Sequence, residues 1–468
     1  MSQRLPVPPA PGPLEDYARA FDDLFSRRNQ REAFRRYLEG LLLPAERNKT
    51  LTALANTEPG GGASKPQAQS LQWFLSESTW DPDQINERRL ALLAQDPSTA
   101  PDEQGVLAID ETGDRKWGTK TAHVGRQYLG SIGKIDNGVV SVHSLWADER
   151  RYFPVAFVPY TPAHWFDKGK DDPAFRTKAE LALELVNQAV AAKVPFRAVV
   201  ADNFYGEHAG FKAGLAALKV GYVLALKPSH SWWHRAGDIG AVWQAAQAAP
   251  WSEDEPGRWQ AMVRQFRDGH QEAWWALEAA CGPYGPEKPQ RLVIVTTDPA
   301  TLPELTTWYL VTNLPMPGSS RAAQSDLAAA ALAEVVRLYG LRVWIEQSYK
   351  QVKGSLGWTQ YQVRTDVAMR RHWQLVCLAF SFCWWALSHE PAMALRFDPA
   401  MQPMAVKESA PRLSDRASGG EKKQTTAAGE LAGGAAASAG LARPVRDAVA
   451  LLARVVEGSP AGTVASAA

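Results

Sequence analysis

The chain has 468 residues, 45% of them hydrophobic and 22% charged, a globular composition long enough for two or three domains around a sizeable core. Its formal net charge of +1 excludes binding to a polyanion through bulk charge, which leaves local basic stripes: residues 27–50 carry seven Lys/Arg against three Glu, and residues 337–371 carry seven against two acids. Three cysteines with no CxxC and no zinc spacing exclude a disulfide framework and fit a reducing compartment, and residues 1–13 hold no apolar signal core, so a cytoplasmic protein is expected.

Taken in chain order, residues 15–56 show helical spacing, with Tyr17, Phe21, Leu24 and Phe25 followed by Phe34, Tyr37, Leu38 and Leu41. Arg28, Arg31 and Arg35 share a face of the second stretch. That stripe fits phosphate binding and a solvated helix surface equally well. After a Gly/Pro/Ser break at residues 58–69, a second helical region at 71–93 completes an N-terminal helical part, residues 1–100, read as a DNA-binding or dimerisation region.

Residues 101–228 then change pattern. An apolar run at 106–110 ends in Asp110, strands follow at 139–145 and 153–158, and a helix spans 175–193. A second apolar run, 197–202, ends in Asp202, and a helix at 208–219 and a strand at 222–226 follow. This order predicts a mixed α/β sheet with flanking helices. Residues 229–330, rich in Trp and in alternating segments, predict a β-rich insertion, and residues 331–400 return to the sheet through a helix at 339–353. The apolar run 375–387 falls short of the roughly 20 residues that cross a bilayer and is expected as a buried helix, with no membrane partner. Within residues 401–468 an Ala/Gly/Ser-rich stretch is expected to be disordered, with room for one last amphipathic helix at 444–457.

The chemistry concentrates in three acids. At about 100° per residue, Tyr339, Arg342, Glu346 and Lys353 fall within one helical sector of about 60°. A carboxylate flanked by two cations and a phenol suits a metal ion beside a phosphate. Asp110 and Asp202 end neighbouring strand-like runs, where sites form in α/β sheets. Three carboxylates from two strands and a helix suit a pair of Mg²⁺ ions, hard cations that favour oxygen ligands and serve phosphodiester chemistry. Singly, each acid fits a helix cap or a surface ion pair as well. His230 and His234 share a helical spacing but lack an evident third metal ligand. Trp232, Trp233, Trp259, Trp274, Trp275 and Trp308 are candidates for packing or for stacking on a base.

These residues resemble the insertion-sequence transposases of the DDE type. Tyr339, Arg342, Glu346 and Lys353 match the Y-x2-R-x3-E-x6-K signature, Asp202-Asn-Phe-Tyr-Gly206 looks like the block around the second Asp, and Asp110-Glu-Thr-Gly113 looks like the block around the first. The resemblance implies an RNase H-like sheet interrupted by a β-rich insertion. It implies that Asp110, Asp202 and Glu346 bind two Mg²⁺, with Mn²⁺ able to substitute. Tyr339, Arg342 and Lys353 would contact phosphates of the cleaved end. The partners implied are double-stranded DNA, as terminal inverted repeats and target, and a second copy of the chain in a synaptic homodimer associated with the nucleoid. A hairpin on the excised end is compatible with the resemblance. Two rival readings are a catalytically silent DNA-binding regulator and a nuclease that cuts without joining. Glu111 is expected on the face of its strand opposite Asp110 and is not assigned as a ligand.

Overall fold

A computed structural model of the chain describes residues 7–389 apart from 11, 44–46, 60, 234–238, 266–269 and 280–289. The expectations for the tail beyond residue 389, and for His234, lie outside the described residues.

Five helices open the chain: α1 (Gly12–Arg19), α2 (Arg28–Leu42), α3 (Leu51–Leu54), α4 (Pro66–Ser76) and α5 (Pro82–Gln95). Their apolar stripes meet in an aromatic cluster, where Phe25 lies 4.7 Å from Phe34 and Phe74 stacks on Trp80 at 5.0 Å between ring centroids. The helical region 71–93 divides between α4 and α5. Asp81 caps α5 by accepting from the Asp83 amide at 2.9 Å, and Pro82 occupies the first helical position, where a missing N–H costs nothing.

The sheet follows, with β1 (Val106–Arg115), β2 (Gly125–Leu129), β3 (Lys134–Ala147) and β4 (Tyr152–Tyr160), then α6 (Lys178–Ala191), β5 (Ala198–Ala201), α7 (Asn203–Gly206), α8 (Ala209–Ala217) and β6 (Tyr222–Ala225). β3 runs antiparallel to β1, while β5 lies parallel to β1 on its other side and β6 parallel to β5. All four residues of β5 are buried, as expected for a parallel strand covered on both faces. α6 packs against β3 and β4 and starts in a capping box, with Thr177 and Glu180 satisfying each other's backbone amides.

The insertion contributes β7 (Ser231–Trp233), β8 (Ile239–Ala241), α9 (Val242–Gln247), β9 (Gln260–Gln265), β10 (Gln271–Ala279), β11 (Arg291–Thr296) and β12 (Thr307–Thr312). Its last four strands extend the main sheet. β12 pairs antiparallel with β6, and the order β2-β3-β1-β5-β6-β12-β11-β10-β9, with β4 on β3, makes one ten-stranded sheet.

Three helices close the fold: α10 (Leu332–Gly340), α11 (Val343–Gly354) and α12 (Asp366–Ser388). The single helix predicted over residues 339–353 is therefore two, turning at Leu341 and Arg342. Gly340 supplies the weak point, since glycine is a poor helix former, and the Arg264 guanidinium approaches so closely that a Cβ there would lie 3.3 Å from it. α12 is the buried helix expected around 375–387. It bonds the N-terminal helices through Arg89 to Ser381 Oγ (2.9 Å) and Tyr37 Oη to His372 Nδ1 (2.8 Å), and bonds β4 through Trp384 to the Tyr152 carbonyl (2.7 Å). Among the described residues no helix is long and apolar enough to cross a membrane.

Candidate active site

The ladder between β1 and β5 runs from Val106↔Ala198 to Ile109↔Ala201, so Asp110 and Asp202 follow it side by side; β5 ends there, but β1 runs on to Arg115, so Asp110 lies mid-strand and not at the strand end that the sequence predicts. At this point the β5 chain turns into α7, and Asp202 caps that helix, its Oδ1 accepting from the Phe204 amide at 3.0 Å. The tight turn needs Gly206: a Cβ there would run into the Ala225 carbonyl of β6.

Glu346 arrives from the first turn of α11. Its Oε1 accepts from Arg342 Nη1 at 2.7 Å, and Arg342 Nη2 faces Asp110 Oδ2 at 3.7 Å. One guanidinium therefore stands between a strand acid and a helix acid. The turn between α10 and α11 is what aims it there. Although burial opposes its charge, Asp110, Tyr339, Glu346 and Asp202 together hold Arg342 above its ordinary pKa.

The two Asp residues are electrostatically uncomfortable. Burial pushes Asp110 up to about 7, with Arg342 opposing and Asp202 and Glu111 adding to the rise. Burial also raises Asp202, with Arg342 again opposing and Glu111 reinforcing. Glu111 belongs to this neighbourhood despite its position on the other face of β1. It accepts from Lys178 Nζ at 3.0 Å and Tyr205 Oη at 2.7 Å, and its amide donates to Asp110 Oδ1 at 2.8 Å. Two buried groups beside Asp110 find no hydrogen-bond partner among the described residues: Arg342 Nε and Tyr349 Oη.

Among the described residues no three Asp, Glu, His or Cys side chains close into a ready metal cage. Arg342 stands between Asp110 and Glu346 instead. The donor set still fits a divalent cation. It offers hard carboxylate oxygens, the Asp110 carboxyl raised by burial and by its acidic neighbours, next to an unsatisfied buried hydroxyl.

The other predicted residues divide. Tyr339 packs edge-on against Trp308 at 5.0 Å, and burial pushes its phenol up to about 12 with Arg342 opposing. Lys353 is tied to β1, donating to the Gly113 carbonyl at 2.9 Å. The N-terminal stripe requires a correction, because Arg31 and Arg35 are buried. Arg35 is held by Glu15 at 2.7 Å and Asp22 at 2.7 Å, and Arg31 reaches the Phe25 carbonyl at 3.4 Å. Arg31 lies three residues before Phe34 and Arg35 three before Leu38, so both share the core-facing side of α2. Arg28 is exposed and pairs with Glu32 at 2.8 Å. Of the Trp candidates, Trp232, Trp259 and Trp274 are buried, and Arg264 fills the gap between Trp274 and Trp308, 4.5 Å from each ring. His230 bonds Glu207 at 3.1 Å.

Sequence reasoning missed His143. It pairs with Asp110 across β1 and β3, and burial, aided by Lys353, lowers it to about 3, so it stays neutral. Its Nε2 bonds Ser141 Oγ at 2.8 Å, and Tyr349 packs edge-on against it. The alternation of β3 carries a signal for it, since a His on the inward side of an apolar strand needs a partner.

A mixed sheet with an acid on each of two adjacent parallel strands where their ladder stops, a third acid on a following helix and a β-rich insertion between them describes a class of nucleic-acid-cutting enzymes. The chain belongs to the DDE superfamily of endonucleases, whose family model matches residues 20–287. It is also 31% identical over 364 residues to a probable transposase for insertion sequence element IS701 from Microchaete diplosiphon, an alignment covering 78% of this chain and 85% of that protein. The chain is accordingly a transposase of the insertion-sequence kind, an enzyme of the metal-dependent DNA-cutting type with an RNase H-like sheet.

Proposed function

We propose that Asp110, Asp202 and Glu346 form the catalytic carboxylate set of this transposase. The observation that carries the reading is the convergence of an acid within β1, an acid just past β5 and a helix acid on a single buried guanidinium, Asp110 and Glu346 as ion pairs and Asp202 through its charge. Mg²⁺, or Mn²⁺ in its place, would be held by these three side chains and would supply Lewis-acid charge at the scissile phosphate.

The reaction is two in-line displacements. In the first, water forms a new bond to phosphorus as the bond to the 3′ oxygen of the transposon end breaks, and a proton ends on the departing 3′-OH. In the second, that 3′-OH bonds to a target phosphorus and displaces a target 3′ oxygen, which takes up the proton. Phosphodiester bonds broken and formed balance in the second step. Burial holds Asp110 above the ordinary carboxylate range, with Arg342 opposing. Arg342 keeps Glu346 oriented, and Tyr339 offers its phenolic O–H to a phosphate oxygen. Lys353 holds α11 against β1 and so fixes the distance between Glu346 and Asp110. Two ends joined to one target call for two protomers, and the reading is of a cytoplasmic homodimer acting on terminal inverted repeats.

The test uses a plasmid carrying the element's own ends, with MgCl2. Glu346→Gln and Asp110→Asn should each lower excision and integration by about 10³-fold, the scale of several kcal/mol of transition-state stabilisation, while end binding persists. Unchanged excision by Glu346→Gln would sink the assignment.

A further inference from the structure

A second basic segment, free of acids, follows Asp114 on β1. Residues 115–135 contain Arg115, Lys116, Lys120, Arg126 and Lys134, five cations with no Asp or Glu. In the middle stands Trp117, 86% exposed, the most exposed large apolar side chain among the described residues. The Arg115 guanidinium covers one face of its ring at 4.1 Å. Tyr128 and Ile135, 57% and 61% exposed, stand on the adjoining β2–β3 hairpin.

This segment is a built platform. The Lys116 amide bonds the Asn137 carbonyl at 2.9 Å, and Asn137 Nδ2 donates to the carbonyls of Lys116 (2.7 Å) and Gly118 (3.0 Å). The Ala122 amide bonds the Arg364 carbonyl at 2.8 Å, and His123 bonds Asp366 at 2.6 Å and Thr161 at 2.8 Å. Lys116, Trp117, Lys120, Thr121 and Arg364 line a cavity of about 190 Å³. Among the described residues neither Lys120 nor Arg364 is paired with a carboxylate, whereas Arg115 pairs with Asp136 and Lys116 with Asp114. A platform already ordered before binding saves the cost of ordering it.

We propose that the loop of residues 116–121, with Arg364, is a second DNA-binding surface that grips the phosphodiester backbone of the duplex beyond the cut. The inference rests on the reading of Asp110 as a catalytic residue. Arg115 lies five residues along β1 from Asp110, about 17 Å at the rise of a strand. The loop beyond it is reached at roughly 20 Å, the length of about six base pairs of B-DNA. Two unpaired cations beside an exposed indole are the combination that meets phosphates and sugar or base faces together. A second copy of the chain is the poorer occupant. A two-fold contact would set this acid-free segment against itself, like charge on like charge.

The experiment measures binding of a labelled 40-base-pair duplex carrying the element's end to the full chain across a NaCl series, alongside cleavage of the same duplex. Lys120→Ala and Arg364→Ala should each reduce the slope of log affinity against log salt by about one. Lys120→Arg and Arg364→Lys should restore it. Trp117→Ala should weaken binding about tenfold with the slope unchanged. Hydroxyl-radical footprints of the Ala variants should lose protection about six base pairs from the cut. Wild-type slopes and footprints in all three Ala variants, with cleavage intact, would overturn this surface alone. A wild-type chain that neither binds nor cuts the duplex would overturn the catalytic reading with it. Loss of self-association in Trp117→Ala, with DNA binding untouched, would make the face a protein contact and end the proposal.

Discussion

Arg342 reaches toward Asp110 with 3.7 Å between Nη2 and Oδ2, while its other amino group is already bonded to Glu346. A side chain four residues before Glu346 thus occupies the electrostatic position that a divalent cation would also favour. The guanidinium stabilises the acids in the metal-free protein and leaves its own Nε without a partner among the described residues.

Removing that guanidinium should expose the substitution of one positive charge by another. Arg342→Ala should cost about 2 kcal/mol in EDTA, less than a fully buried pair because Glu346 is partly exposed. The thermal shift produced by MgCl2 should then be larger in Arg342→Ala than in the wild type. Differential scanning fluorimetry in EDTA and in MgCl2 measures both. Equal shifts in the two proteins would mean that Arg342 and the metal do not share the acids.

The raised pKa of Asp110 makes a pH prediction. Its folded value, about 7, lies above the ordinary carboxylate value, so the native state binds the extra proton between the two. The contribution to stability is complete below about pH 4 and is lost as pH rises through about 7. In EDTA, Asp110→Asn should be more stable than the wild type at pH 8 by about 1–3 kcal/mol, and the difference should vanish near pH 4. Urea melts at the two pH values decide it, and a difference that grows toward acid would reverse the sign argued here.

Arg35 and Arg28 should behave as opposites. Arg35→Met takes from Glu15 its buried cation, leaving it the Ala10 amide and Arg19, removes one partner of Asp22, and should cost about 3 kcal/mol, with no change in the salt slope of DNA binding. Arg28→Ala removes an exposed pair and should change stability by less than about 0.5 kcal/mol. Chemical denaturation with the salt titration tests both. A flattened slope in Arg35→Met would return it to the DNA surface.

Gly206 supports Asp202 from behind. Gly206→Ala would drive a methyl into the Ala225 carbonyl, shift α7 and loosen the cap that Asp202 provides. We expect a loss of about 2–3 kcal/mol and a fall in cleavage of tenfold or more (about 10- to 100-fold) at saturating DNA. Cleavage at the wild-type rate in a stably folded variant would separate this glycine from the site.

The acids were legible because each apolar run stops on one: Ile109 is buried and Asp110 follows, Ala201 is buried and Asp202 follows. The sheet was legible from the same runs. The break in the signature helix was less so. Gly340 marked it, but Tyr339, Arg342 and Glu346 keep a helical spacing across the turn. The burial of Arg31 and Arg35 was written in their spacing from Phe34 and Leu38, yet their partners, Glu15 and Asp22, sit on earlier segments that only the folded chain brings near. Glu111 escaped for a similar reason: its partners Lys178 and Tyr205 come from α6 and α7, and no local pattern on β1 points to them.

The pairing of β12 with β6 carries a consequence for how this enzyme can be dissected. β6 is an interior strand because of the insertion, whose strands hydrogen-bond along its free side. Excising residues 229–330 would turn that side into a row of open amides and carbonyls beside the buried β5. A trimmed catalytic core would therefore be a sticky edge looking for another chain, and the insertion is as much a guard of the sheet as an appendage to it.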